Sequence, residues 1–261
     1  MAHTPEKPAF APGKDGTKHH LGHTRTSLHA DHALLTPDSF VRAPLPGMKN
    51  ATAIVHTAPA MGAAFTQYTA EFETGGELGP CVSQRFLFVL DGEICVLASG
   101  KNYALQPGGY AFFPVALTER VSAPKSSRIA VIEKKYQPLE GVRAPSILIS
   151  EESAAAPQPF MGDDSLAVRM LLPDDSSHDF AVNTMLYQPG ATLPMVESHV
   201  MEHGLLMLEG EGIYRLGNSW YPVAAGDFIW MAPYCPQWFG ALGKVPAKYL
   251  IYKPWNRHPL E

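Results

Sequence analysis

The segment Glu197-Ser198-His199-Val200-Met201-Glu202-His203 gathers the residues of this chain best suited to chemistry. At strand period Glu197 and His199 fall on one side of a single strand, because side chains two apart share a face. His203 has the same parity and reopens the chain after a bend, just before the apolar run Leu205-Leu206-Met207-Leu208. Gly210 follows at a fixed distance, and Gln237 arrives from a later strand. A carboxylate, two imidazoles and an amide oxygen form a mixed nitrogen and oxygen donor set, which suits Mn, Fe, Ni or Zn better than Ca or Mg. Glu202 has the opposite parity and is expected to face away. Tyr249, Ile251 and Lys253 share a face of the last apolar segment. If that face points into a barrel, Lys253 needs an anion to offset its burial; if it points outward, Lys253 is simply solvated. His56, His178 and His258 have no partners at ligand spacing and read as structural or surface residues. Trp220, Trp230 and Trp238 read as core and interface aromatics.

The elements that must carry these donors are short and strand-like. A charged fraction of only 17 %, with 22 Gly and 24 Pro, implies many turns and an all-β architecture. The 261 residues allow one large domain or two of about 120 residues, either with a real core. Apolar segments recur between Gly and Pro: Phe65-Tyr68, Phe86-Leu90 and Tyr110-Phe113, then Thr184-Tyr187, Leu205-Leu208, Phe228-Met231 and Tyr249-Tyr252. A Pro- and Ala-rich connection runs from about residue 137 to 159. Residues 1–27 show no apolar periodicity and read as a flexible arm. His19, His20, His23, His29 and His32 lie in or just beyond it and are assigned to solvated chain rather than to a metal tract.

A net charge of −5 offers no attraction for nucleic acid or an anionic membrane. Cys81, Cys95 and Cys235 form no CxxC pair, which fits a reducing compartment. No apolar run approaches the roughly 20 residues of a membrane span, and Met1 to Lys14 lacks the apolar core of a secretory signal. The expectation is a soluble cytoplasmic protein.

The two halves repeat. At one offset of 118 residues, Leu90-Asp91-Gly92-Glu93 falls on Leu208-Glu209-Gly210-Glu211 and Pro107-Gly108-Gly109-Tyr110 falls on Ala225-Gly226-Asp227-Phe228. Repeats of this length are domains rather than solenoid units, so two small barrels or sandwiches are expected. The same offset sets Gly79, Cys81, Arg85 and Glu119 opposite Glu197, His199, His203 and Gln237. A glycine and an arginine cannot replace two ligands, so the first barrel is expected to be metal-free and structural.

The pattern Glu197-x-His199-x3-His203-x6-Gly210, then Gly226-Asp227 and Gln237, resembles the two-part cupin signature. Its order is altered: Glu197 stands where the first His is usual, His203 where Glu is usual, and Gln237 where the last His is usual. This variant in the second half of a bicupin resembles the (S)-ureidoglycine aminohydrolases. His32-Ala33-Leu34-Leu35-Thr36-Pro37-Asp38, Phe86-Leu87-Phe88-Val89 and Met161-Gly162-Asp163-Asp164 are similar to that family as well. The resemblance spans roughly residues 28 to 258.

It implies two tandem jelly-roll barrels: a metal-free cupin over 28–140, a linker over 141–165 and a metal-bearing cupin over 166–261. It also implies Mn²⁺ on Glu197, His199, His203 and Gln237, one per chain, and a homo-oligomer. The implied substrate is a small anionic ureido amino acid, ureidoglycine of allantoin and purine breakdown, which loses ammonia by hydrolysis. Tyr249, Lys253 and Tyr214 carry over as substrate contacts beside Glu197 and Gln237, and Lys253 and Glu197 become the candidates for acid/base work. Two other classes stay open: a redox bicupin (dioxygenase or oxalate-type decarboxylase), which commonly uses three His and a Glu, and a non-catalytic cupin that binds a small ligand.

Overall fold

The computed structural model describes residues 23–114 and 119–257. In the first half the strands are β1 (Ser27–Leu28), β2 (His32–Leu35), β3 (Lys49–Thr57), β4 (Thr66–Glu77) and β5 (Gln84–Asp91). There follow β6 (Ile94–Ala98), β7 (Lys101–Leu105), β8 (Gly109–Phe113), β9 (Arg120–Ala123), β10 (Ser127–Lys134) and β11 (Leu148–Glu151). The second half has β12 (Gln158–Phe160), β13 (Asp163–Met170), β14 (Phe180–Tyr187), β15 (His203–Glu209) and β16 (Glu211–Leu216). It ends with β17 (Ser219–Ala224), β18 (Phe228–Met231), β19 (Gln237–Ala241) and β20 (Ala247–Pro254). Among the described residues the helices are three short 3₁₀ turns.

Two barrels result. In the second, β18-β15-β20-β14-β13-β12 forms one sheet and β17-β16-β19 faces it. In the first, one curled sheet runs β8-β5-β10-β4-β9-β6-β7, with β3 beside β4. All the pairings are antiparallel. The repeat is visible in the turns. Gly92 (φ 83°) and Gly210 (φ 71°) make the same left-handed bend, which favours glycine. A Cβ at either would collide with the strand beyond, 2.3 Å from Ser127 Oγ or 2.4 Å from the Pro246 carbonyl oxygen.

The apolar runs do not alternate with polar residues because their strands are buried on both faces. On β15 Leu205 and Met207 fill the second barrel, while Leu206 faces the first; on β20 Tyr249 and Ile251 point in, while Leu250 and Tyr252 point out. A third core thus lies between the barrels, rich in aromatics: Phe65, Phe86, Phe112, Phe180, Phe228, Trp230 and Tyr252. The Phe65 and Tyr252 rings stack there at 3.9 Å.

Three expectations need correction. Residues 28–140 do not all belong to the first barrel, because β1 and β2 extend the second barrel's sheet, with β2 paired to β18. Residues 141–165 are not a bare linker: β11 pairs with β8 of the first barrel, and β12 and the start of β13 already belong to the second. Each half therefore lends its leading strand to one barrel and builds the other. His32, assigned to the solvated arm, is in β2 and only 3 % exposed. His19, His20 and His258 lie outside the described residues.

Candidate active site

The inward face of the second barrel is assembled by strand parity. His203 opens β15, Gln237 opens β19, Tyr214 is central in β16, and Tyr249 and Lys253 are on β20. Glu197 and His199 do not share a regular strand as expected. Glu197 makes a one-residue bridge to Gln237, with N–H to O=C bonds of 2.8 Å in both directions, and the chain then bends toward His203. The bridge ties the Glu197 backbone to that of Gln237 and so sets a carboxylate beside an amide. Glu197, His199, His203, Tyr214, Gln237, Tyr249 and Lys253 all line one cavity of about 130 Å³ at the mouth of this barrel.

The donors are oriented by their neighbours. The His199 Nε2 and Glu197 Oε2 are 3.2 Å apart, and the His199 and His203 rings stand edge to face at 5.4 Å. The Tyr214 hydroxyl donates to Gln237 Oε1 at 3.0 Å, which turns that amide oxygen to a defined angle. Burial pushes the His203 imidazole down to about 3, and repulsion from His199 and Lys253 acts in the same direction. The ring is thus neutral, the form that ligates a metal. Its Nδ1 is buried without a hydrogen-bond partner, an arrangement that costs free energy unless something else uses the site. Two imidazoles with a carboxylate and an amide oxygen in one small cavity fit a divalent cation.

Lys253 reaches this cavity from the end of β20, with its Nζ 3.8 Å from the centre of the Trp255 ring. Burial lowers its pKa, and the charges of Asp174 and Glu197 partly restore it. Trp255 is fixed in turn by donating its indole N–H to Asp174 Oδ1 at 2.6 Å. Tyr249 is buried, shares a 2.7 Å hydrogen bond with the Tyr187 hydroxyl and donates to Met185 Sδ at 3.2 Å. Burial raises the pKa of Tyr187, Tyr214 and Tyr249 well above the usual phenol range, so all three remain protonated donors. Sequence reasoning missed Asn183, Met185 and Tyr187. All three sit at alternate positions of β14, and extending the inward parity along that strand finds them. Glu202 turns the other way, accepting from the Ala64 N–H at 2.9 Å and the Trp230 indole at 3.2 Å.

The equivalent place in the first barrel is built differently. Arg85, opposite His203, is 3 % exposed and bonds Glu133 at 2.8 Å and Glu119 at 3.3 Å. Tyr68 also donates to Glu133 at 2.8 Å. A guanidinium held by two carboxylates occupies the position where the second barrel presents an imidazole.

The model of the cupin domain family matches residues 183–252, from β14 through most of β20. The chain is 41 % identical over 244 residues to the probable (S)-ureidoglycine aminohydrolase of Oryza sativa subsp. japonica, covering 92 % of this chain and 78 % of that protein. It is 34 % identical over 236 residues to the (S)-ureidoglycine aminohydrolase of Escherichia coli (strain K12), covering 88 % and 90 %. Among solved structures, protein Ylba from E. coli superposes with a TM-score of 0.81 at 30 % identity, covering 93 % of this chain and 99 % of that one. The agreement spans both barrels and not the cavity alone: this chain belongs to the (S)-ureidoglycine aminohydrolase family of the cupins.

Proposed function

We propose that this protein hydrolyses (S)-ureidoglycine to (S)-ureidoglycolate and ammonia, a step of allantoin and purine catabolism, as a cytoplasmic homo-oligomer with one Mn²⁺ per chain. The observation that carries the reading is the convergence of Glu197, His199, His203 and Gln237 with Tyr249 and Lys253 on one cavity. Its volume of about 130 Å³ is well below the roughly 300 Å³ at which pockets for drug-sized ligands begin. That favours a compact substrate such as an amino acid derivative. The names of the relatives supply the substrate, and the cavity is consistent with it. No helix among the described residues is long and apolar enough to cross a membrane.

Ureidoglycine carries an amine, a ureido nitrogen and a carboxylate on one carbon. Water adds its oxygen to that carbon, the C–N bond to the amine breaks with its electron pair on nitrogen, and a proton converts the departing group to ammonia. Such an aminal needs little activation, so the protein's task is to fix one face of the carbon and manage protons. Glu197, His199, His203 and Gln237 would hold a divalent ion, which would supply Lewis acidity; Mn²⁺ is proposed, and Fe, Ni and Zn tolerate the same donors. Lys253 offers an ammonium to the departing nitrogen, and its lowered pKa eases that transfer. Glu197 accepts a proton from the incoming water. Tyr249, protonated and held by Tyr187, turns its hydroxyl hydrogen from Met185 Sδ to the ureido group without giving up the proton. Tyr214 acts through Gln237.

The decisive experiment measures ammonia release from freshly generated ureidoglycine with and without Mn²⁺, together with the chirality of the product. Oxygen uptake without ammonia release would instead indicate a redox cupin. Purified protein that binds no metal and releases no ammonia would indicate a ligand-binding one.

A further inference from the structure

We infer that Asp31, His32 and Cys235 form a second divalent-cation site, one that takes a thiophilic ion such as Zn²⁺ and clips the exchanged N-terminal strand to the loop leading into β19. Among the described residues these are the three His, Cys, Asp or Glu side chains that bring one ligand atom each within 4.8 Å of one another. The Glu197 set is more widely spread and does not meet that measure. The Asp31 Oδ1 is 2.8 Å from His32 Nδ1. His32 and Cys235 are buried, and Asp31 is the exposed member, leaving the cluster open to ions and water on one side.

The surroundings suit a ligating imidazole. His32 Nε2 faces the Tyr221 hydroxyl at 2.9 Å, the kind of outer partner that fixes the tautomer and ring plane of a metal-bound histidine. Coordination through Nδ1 leaves the ring neutral with its proton on Nε2, donating to Tyr221; the Cys235 thiol gives up its proton to solvent. No electron changes hands. Space is kept by Gly217 in the turn between β16 and β17: a Cβ there would stand 3.3 Å from Asp31 Oδ2 and 3.9 Å from His32 Nδ1. One sulfur, one nitrogen and one oxygen, with water as the fourth ligand, match the coordination of zinc better than that of Mn²⁺, which favours oxygen-rich sets.

The segments joined are separated by some two hundred residues and meet where β2 adds to β18. The Ala232 N–H already bonds the Asp31 carbonyl at 2.9 Å, and the Cys235 N–H bonds Ala232 at 3.2 Å. Cys235 is two residues before Gln237, so an ion here would brace the loop that positions a donor of the active site.

The test uses the full chain, stripped with a chelator and titrated with Co²⁺. A thiolate bound to Co²⁺ produces a charge-transfer absorption in the near ultraviolet, which the Glu197 set, having no sulfur, cannot give. The band is expected in the parent protein, absent in Cys235→Ser, and shifted to at least about tenfold higher Co²⁺ concentration in Asp31→Asn. Zn²⁺ should abolish it by competition. No band, or a band that survives in Cys235→Ser, overturns the site. Should Cys235→Ser fail to fold, the exposed Asp31→Asn variant decides alone, an unchanged Co²⁺ titration overturning the proposal.

Discussion

Each side chain around the cavity makes a separable contribution. Lys253→Met removes the ammonium while keeping the stem that packs beside Trp255, so turnover should fall by about 10² to 10⁴ with Mn²⁺ still near stoichiometric by elemental analysis. Full activity in that variant would exclude Lys253 from the chemistry. His199→Ala should lose both metal and turnover, and retained Mn²⁺ would refute its role as a ligand. A different histidine governs acid stability. His56 is buried against Thr69 and Phe228, and burial lowers its pKa from 6.5 to about 3. Between those values the unfolded chain takes up a proton that the folded one refuses, so stability is complete above about pH 6.5 and declines as pH falls toward 3. Linkage puts the loss at pH 5 at about 2 kcal/mol for this residue. Urea unfolding at pH 7 and pH 5 should show it, and His56→Gln should reduce the dependence by about that amount, while His203 keeps its own share.

The strands place these residues through parity and close approach. His203 enters the cavity because Gly204 lets β15 lie against the first barrel: a Cβ at Gly204 would fall 2.5 Å from both the Phe65 ring and Gln67 Oε1. Gly204→Ala is therefore expected to cost about 1–3 kcal/mol by overpacking and to weaken metal binding through displacement of His203. A melt unchanged within error, with metal affinity intact, would show that β15 is not held by this contact. Most strand positions were legible beforehand, since Phe86–Leu90, Leu205–Leu208 and Tyr249–Tyr252 are apolar runs bounded by turn residues. The segment from Glu197 to His199 was less so. Its parity suggested a strand, but only Glu197 finds a partner, and the convergence with His199 is produced by a bend whose course depends on the Gln237 loop.

At the scale of the molecule the barrels are joined by an aromatic core and by one buried charge pair. Asp179, before β14, accepts from Lys134 Nζ at 2.5 Å, Gln84 Nε2 at 2.7 Å and the Gln137 N–H at 2.9 Å, all three from the first half. Asp179→Ala strands the buried Lys134 ammonium, and a loss of about 3–5 kcal/mol is expected in urea unfolding. An apolar pair, Lys134→Met with Asp179→Leu, should recover much of that loss, because neither charge is then left unpartnered. A larger loss in the pair than in Asp179→Ala would show that packing, and not charge, sets the cost. If the barrels unfold as one unit, loss of this contact should also shift the midpoint of metal release along with the fluorescence transition.

Donor chemistry, the two-barrel repeat and which residues of β15 and β20 share a face were determined by the sequence itself, because ligand type and strand period are local properties; which face turns inward was left to the closed barrel. The opposition of Arg85 to His203 was readable too, since a fixed offset aligns the halves. Tertiary structure alone decided which barrel each leading strand joins. β2 and β11 are both only four residues long, and either could add to an exposed sheet edge; the edge each one takes depends on where the chain emerges once the barrels have closed. The same strand exchange brings Asp31 and His32 beside Cys235, some two hundred residues away, and the fold brings Tyr187 to Tyr249 and Asp174 to Trp255. None of these encounters has a period or spacing to announce it, because each is a contact between elements that meet only after packing.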